Sequence, residues 1–204
     1  MLFESTLYFA GLIGCAVFAI SGGLAAAEKR QDIMSFILLG VVTGLGGGTV
    51  RDLVLNKPAI FWLAEPLYLY VCVAAAALTY FLAPILASKH RALIWMDAAG
   101  MALFSVTAAH STLQWHDAWL VAMAMAMITA SFGGVMRDVL LDQMPVILEP
   151  EIYVSASLLG ALTYLIANAM ALPTHWAIAI GVLAAFSLRG AAIIWDLRLP
   201  KYKD

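Results

Sequence analysis

Polar residues interrupt this chain at short, spaced breaks, and the stretches between them are almost wholly apolar. The breaks are EKRQD at 28–32, KPAIFWLAEP at 57–66, SKHR at 88–91, QWHD at 114–117, EPE at 149–151 and LPTH at 172–175. They leave seven apolar runs, approximately 5–27, 33–56, 66–87, 92–111, 117–142, 151–171 and 175–197. A helix needs roughly 20 apolar residues to cross the hydrocarbon core of a bilayer. Each run therefore predicts a membrane-spanning helix, and the chain as a whole predicts an all-α integral membrane protein of seven transmembrane helices. The breaks are too short for anything but antiparallel neighbours.

Composition agrees. Over 204 residues the chain is 64% hydrophobic and 12% charged, with a mean hydropathy of +0.93, against about 25% charged for soluble domains. The length excludes a twelve-span transporter and a large soluble catalytic domain, leaving a single membrane domain over 1–204. A net charge of −2 supplies no basic field, so no nucleic-acid partner is expected. Cys15 and Cys72 both fall inside apolar runs, as free buried thiols do. His90, His110, His116 and His175 lie at run ends and never pair at helical i,i+4 spacing. With no HExxH, no cysteine cluster and no phosphate loop, neither a cofactor nor a fixed metal site is expected. No nucleophile–base pair is visible either, so the chain does not read as an enzyme.

Charge placement sets orientation. The N-terminal MLFESTLYFAGLIG carries Glu4 and no basic residue, which predicts a permanent span instead of a cleaved signal. With the N-terminus outside, the inner loops and tail hold Lys29, Arg30, Lys89, Arg91, Arg198, Lys201 and Lys203, and the outer loops hold Lys57 alone. Basic loops stay on the cytoplasmic side, so the expectation is a multi-pass protein of the cell inner (plasma) membrane, N-terminus outside and C-terminus cytoplasmic. Trp62, Trp95, Trp115, Trp119, Trp176 and Trp195 all fall near run ends, where an interfacial aromatic belt belongs.

The chain also repeats itself. GGTVRDLVL at 47–55 matches GGVMRDVLL at 133–141, GCAVFAIS at 14–21 resembles GMALFSVT at 100–107, and Thr43 aligns with Thr129, all at an offset of 86. Glu65-Pro66 matches Glu149-Pro150, and ALTY at 77–80 matches ALTY at 161–164, at an offset of 84. Each copy holds three spans (repeat 1 over 5–87, repeat 2 over 92–171), and 175–197 is an extra helix. Three is odd, so the second copy enters the membrane inverted, an arrangement that puts a shared site at the interface between copies.

Spans 2 and 5 hold the unusual residues. Gly40, Gly44 and Gly48, like Ala122, Ala126, Ala130 and Gly134, recur every four residues and read as close-packing stripes. Gly46, Gly47 and Gly48 in a row are different, since each glycine costs roughly 1 kcal/mol in a helix interior. They predict a break or kink that exposes backbone carbonyls, repeated more weakly at Gly133 and Gly134, where Phe132 replaces the third glycine. Arg51-Asp52 and Arg137-Asp138 follow. Either each arginine snorkels to headgroups while its aspartate caps a half-helix, or the two pairs line the two mouths of one pathway. Asp97 is a third candidate internal charge, or else a partner of Arg91 or an interfacial cap, and Arg189 reads as a snorkelling residue.

These features resemble the trimeric intracellular cation (TRIC) channels, and GGGTVRD at 46–52 with FGGVMRD at 132–138 resembles their prokaryotic branch, over about residues 5–197. The resemblance implies a homotrimer with one pore per protomer, bounded by spans 1, 2, 4 and 5 and permeable to monovalent cations, chiefly potassium. Some bacterial members carry the name glycine transporter. The Lys-Glu-Val signature of animal members is absent, since spans 4 and 5 contain no lysine. The channel reading places Thr43, Gly46, Gly47, Gly48, Arg51, Asp52, Asp97, Thr129, Ser131, Gly133, Gly134, Arg137 and Asp138 on the potassium pathway, with membrane lipid as the other partner. The alternative is a carrier for glycine or a similar small zwitterion, its carboxylate received by arginine and helix N-termini.

Overall fold

In a computed structural model, residues 2–86 and 88–200 are described, with side chains from Thr6 onward; Glu4, Lys201 and Lys203 of the orientation argument lie outside the described side chains. The described residues form eight helices: α1 (Leu2–Glu28), α2 (Ile33–Val54), α3 (Phe61–Ala64), α4 (Leu67–Leu82), α5 (Lys89–Leu113), α6 (Trp119–Leu140), α7 (Val154–Ala169) and α8 (Thr174–Trp195). Six of these apolar segments are long enough to cross a membrane, counting the 3₁₀ turn Ala83–Ile85 that continues α4. α7, with 16 residues, is shorter than the run that predicted it. Its first turn is lost because residues 151–152 are used elsewhere: Glu151 bridges Arg198, and the Ile152 carbonyl accepts from Arg189.

Local chemistry ends the helices where the breaks stand. Asp32 caps α2 by accepting the Ser35 amide at 2.8 Å, and Ser88 caps α5 by accepting that of Arg91 at 3.3 Å. α2 and α6 finish alike: Asn56 (φ 49°) and Asp142 (φ 53°) turn left-handed, and Lys57 N–H and Gln143 N–H reach back to the carbonyls of Asp52 and Asp138 at 3.0 and 2.8 Å. Asparagine and aspartate tolerate that conformation better than other non-glycine residues.

α1 and α5 are the most buried spans. They meet through a reciprocal contact: a Cβ added at Gly100 would lie 2.8 Å from the Phe18 ring, and one at Gly14 would lie 2.9 Å from the Phe104 ring. The two rings lie side by side with centroids 5.2 Å apart, tilted by 41°. α2 and α6 do the same with backbone. A Cβ at Gly47 would sit 2.0 Å from the Thr129 carbonyl oxygen, and one at Gly133 would sit 2.1 Å from that of Thr43. In each case the contact between residues i and j is matched by the contact between their counterparts 86 residues away, the signature of a two-fold relation between copies.

This crossing gives the glycine run a packing role, with no break in either helix. α2 is one uninterrupted α-helix from Ile33 to Val54, α6 one from Trp119 to Leu140, and no described glycine has positive φ. The glycine run is consumed by approach from three sides: Gly46 faces the Met136 sulfur, Gly47 the α6 backbone, and Gly48 the Phe61 ring. The Gly40 and Gly44 stripe packs as expected, against Ala76 and Cys72 of α4.

Candidate functional site

The Arg-Asp pairs close the C-terminal ends of α2 and α6, where cations also favour the helix dipole. Arg51 Nε donates to Asp52 Oδ1 at 2.8 Å, and Arg137 Nε to Asp138 Oδ1 at 2.7 Å. Each aspartate also holds the backbone of the segment that follows: Asp52 Oδ2 accepts the Phe61 amide at 2.9 Å, and Asp138 accepts that of Val146. Neither arginine snorkels. Both are buried against helices of their own chain, which corrects the headgroup reading.

Beyond this shared frame the clusters differ. Arg137 Nη1 donates to Asp97 Oδ1 at 2.8 Å and to Ser21 Oγ at 2.6 Å, knitting α1, α5 and α6 together. Asp97 is thus an internal partner of Arg137. At the other cluster Lys57 Nζ lies 3.1 Å from Asp52 Oδ1 and donates to Ser111 Oγ at 2.7 Å, with the Phe61 ring 5.5 Å from the Arg51 guanidinium. Burial, with Arg51 nearby, pushes the Lys57 ammonium below its ordinary pKa, against the opposing pull of Asp52. Asp97 and Ser111 stand 14 residues apart on α5, about 21 Å of helix rise, so the clusters occupy opposite ends of the bundle.

A cavity enters toward each. One of about 310 Å³ reaches Arg51 between α1, α2 and α5, lined also by Gly11, Gly48, Lys57 and His110. One of about 340 Å³ reaches Arg137 and Asp138 from the opposite end, with Glu28, Glu149 and Glu151 in its wall. A small void of about 10 Å³ beside Asp97 is lined by Ser131, Gly134 and Tyr153. Thr43, Gly46, Gly47, Thr129 and Gly133 line none of the three and sit in the α2–α6 crossing. The Thr43 hydroxyl donates to Leu39 of its own helix at 2.6 Å, whereas that of Thr129 is buried without a partner. Arg189, expected to snorkel, is buried in an ion pair with Glu151, over the Tyr153 ring.

Ser21, Lys57, Tyr153 and the Phe18–Phe104 pair escaped the sequence reading of the site. Ser21 and the two phenylalanines stood within the matched 14–21 and 100–107 stretches, and Lys57 was the one basic residue of the outer loops.

A family model described as Glycine transporter matches residues 8–84 and 94–169. The crystal structure of the TRIC orthologue from Rhodobacter sphaeroides superposes with a TM-score of 0.90 at 43% identity, covering 94% of this chain and 98% of that one. The chain belongs to the TRIC family. A prokaryotic TRIC channel crystallised in 0.5 M KCl gives a TM-score of 0.89 at 28% identity, over 96% of this chain and all of that one. The UPF0126 inner membrane protein YadS of Escherichia coli K12 is 36% identical over 201 residues, 96% of each chain. Within the TRIC family, then, the shared fold carries an Arg-Asp cluster at each end of α5 in this chain, with a cavity leading to each.

Proposed function

We propose that this chain is a monovalent-cation channel, permeable chiefly to potassium and assembled as a homotrimer with one pore per protomer. The pore runs between α1, α2, α5 and α6, which are spans 1, 2, 4 and 5 of the sequence reading. The observation that carries this is the pair of cavities entering from opposite ends and stopping at Arg51 and at Arg137. The channel names of the structural neighbours support it. On this reading the two copies form inverted repeats over 5–87 and 92–171, with 175–197 as an added helix, the N-terminus lies outside the cell's inner membrane, and the C-terminus lies in the cytoplasm. The short stretch between the cavities holds Thr129, whose unpaired hydroxyl supplies an oxygen to a dehydrating cation, with Thr43 opposite. The paired Phe18 and Phe104 rings and the Arg137–Asp97 bridge hold the path shut.

A second reading, a carrier for glycine or a similar small zwitterion, is favoured by the description of the family model and by closure at both arginines. Paired measurement on one reconstituted preparation separates them. A channel passes current with potassium as the sole permeant ion and takes up no labelled glycine against saturation; a carrier shows saturable glycine uptake and little potassium current.

Arg51 is the positive charge that a cation meets at the outer mouth. Arg51→Gln is expected to raise unitary potassium conductance, because Asp52 then retains only Lys57 as its cationic partner within 3.1 Å. Unchanged conductance and selectivity in planar bilayers would remove Arg51 from the pathway.

A further inference from the structure

The two copies place different charges at matching positions of their cavities. At the 86-residue offset Glu28 matches Gln114, and Lys57 matches Gln143. Each pair is divided between the cavities: Glu28 and Gln143 line the one that reaches Arg137, Gln114 and Lys57 the one that reaches Arg51. Both differences shift the balance the same way. The loops add a third, since Glu149 lines the inner cavity whereas Glu65, its match at an offset of 84, does not line the outer one. Counted with the acids paired to it, and with histidine neutral, the outer wall sets Arg51 and Lys57 against Asp52, one positive charge. The inner wall sets Arg137 and Arg189 against Asp138, Asp97 and Glu151, with Glu28 and Glu149 in addition, three negative charges.

The clusters stand about 21 Å apart along α5, beyond the Debye length of about 10 Å at 0.1 M salt, so neither field cancels the other. A cleft with low-dielectric walls focuses its field on the ions inside it. The inner mouth therefore gathers cations and the outer mouth thins them. Arg51 and Arg137 are common to both copies and create no difference between the ends; Glu28, Glu149 and Lys57 do.

We infer that cation conduction through this chain is rectified by these residues. With equal potassium on both sides, current carried from the Glu28 end to the Lys57 end exceeds current carried the other way. This rests on the channel reading, and in the orientation proposed above the favoured direction is out of the cell. A difference of about one kT between the two mouths, small beside the several kT that charged clefts generate, gives roughly a threefold ratio in the supply of cations.

The test measures unitary current amplitudes of the full chain at equal and opposite voltages, in planar bilayers of phosphatidylcholine, which carries no net charge. In symmetric 0.1 M KCl the two directions are expected to differ by roughly threefold. The ratio should shrink toward unity in 1 M KCl, where the Debye length is about 3 Å. A charged, impermeant thiol reagent reacting with Gln114→Cys from one bath marks the bath that the outer cavity faces; Cys15 and Cys72 are buried and do not compete. Glu28→Gln should lower the larger current, and Lys57→Gln should raise the smaller one. Exchanging all four positions between the copies (Glu28→Gln, Gln143→Lys, Lys57→Gln and Gln114→Glu) leaves one negative charge at each mouth and should abolish the rectification. These positions close helices or follow them and lie outside the packed crossings, so the exchange variant should fold. Equal currents at 0.1 M, a ratio unmoved by salt, a larger current from the Lys57 end, or a ratio retained in the exchange variant overturns the inference and leaves the channel standing. Absence of any potassium current overturns the channel reading, and rectification with it.

Discussion

Alanine at Gly47 or at Gly133 is expected to force α2 and α6 apart and lower the thermal midpoint of the purified protein by several degrees, whereas alanine at Gly134 leaves it unchanged. The distinction lies in what each new methyl meets. At Gly47 and Gly133 it lies 2.0 and 2.1 Å from a backbone carbonyl oxygen, which cannot rotate away as a side chain does. At Gly134 the nearest atoms are Asp97 Oδ1 at 3.5 Å and Arg137 Nη2 at 3.7 Å, ordinary contact. Overpacking of a tight interior costs about 1–3 kcal/mol and sometimes more. The double variant should cost less than the sum, because the first methyl already separates the backbones that the second would strike. Flux should fall along with stability, since the crossing lies in the stretch proposed to connect the two cavities. A Gly47→Ala protein with wild-type midpoint and flux would falsify the close crossing.

Arg137→Ala is expected to be far more damaging than Arg51→Ala, although the two arginines occupy equivalent places in the repeat. Arg137 is the cation paired with both Asp97 and Asp138, and its side chain is 2% exposed. Its removal strands two carboxylates in the membrane interior, and breaking a buried pair in this way costs about 3–5 kcal/mol. Asp52 is better provided for. Without Arg51 it still has Lys57 at 3.1 Å and the Phe61 amide at 2.9 Å, so the loss should be on the order of 1–2 kcal/mol, that of one charge-assisted hydrogen bond. Thermal midpoints and the folded yield from membranes measure the difference. Arg137→Ala combined with Asp97→Ala should recover part of the loss, because one stranded charge goes with it. Equal damage from the two single variants would show that the inner bridge carries no special share of the stability.

Six spans were legible because apolar runs of this length have few alternatives. What the triple glycine does was not. A glycine in a helix costs the same whether it marks a bend or admits a neighbour, and only the partner helix decides; here that partner, Thr129, lies 82 residues further along the chain. α7 was overestimated because Ile152 and Tyr153 look like helix interior, yet their surroundings bind Arg189. For the same reason Arg189 read as a snorkelling residue: Glu151, its acid, sat in a break that marked only an edge. Asp97 was singled out, but its partner Arg137 lies on another helix, and helix-to-helix pairing has no local signature.

Asp52 and Asp138 each grip two things at once, the arginine beside them and the main chain eight or nine residues on, at Phe61 and Val146. Neither arginine is therefore a free arm. For Arg51 or Arg137 to swing aside, its aspartate must either give up a charged partner or move with it and draw the following loop along. The connector between one membrane helix and the next is thereby geared to the charge at the cavity floor. Tension or a bound protein acting on an exposed loop has a short mechanical route to the innermost residues of its own half of the molecule.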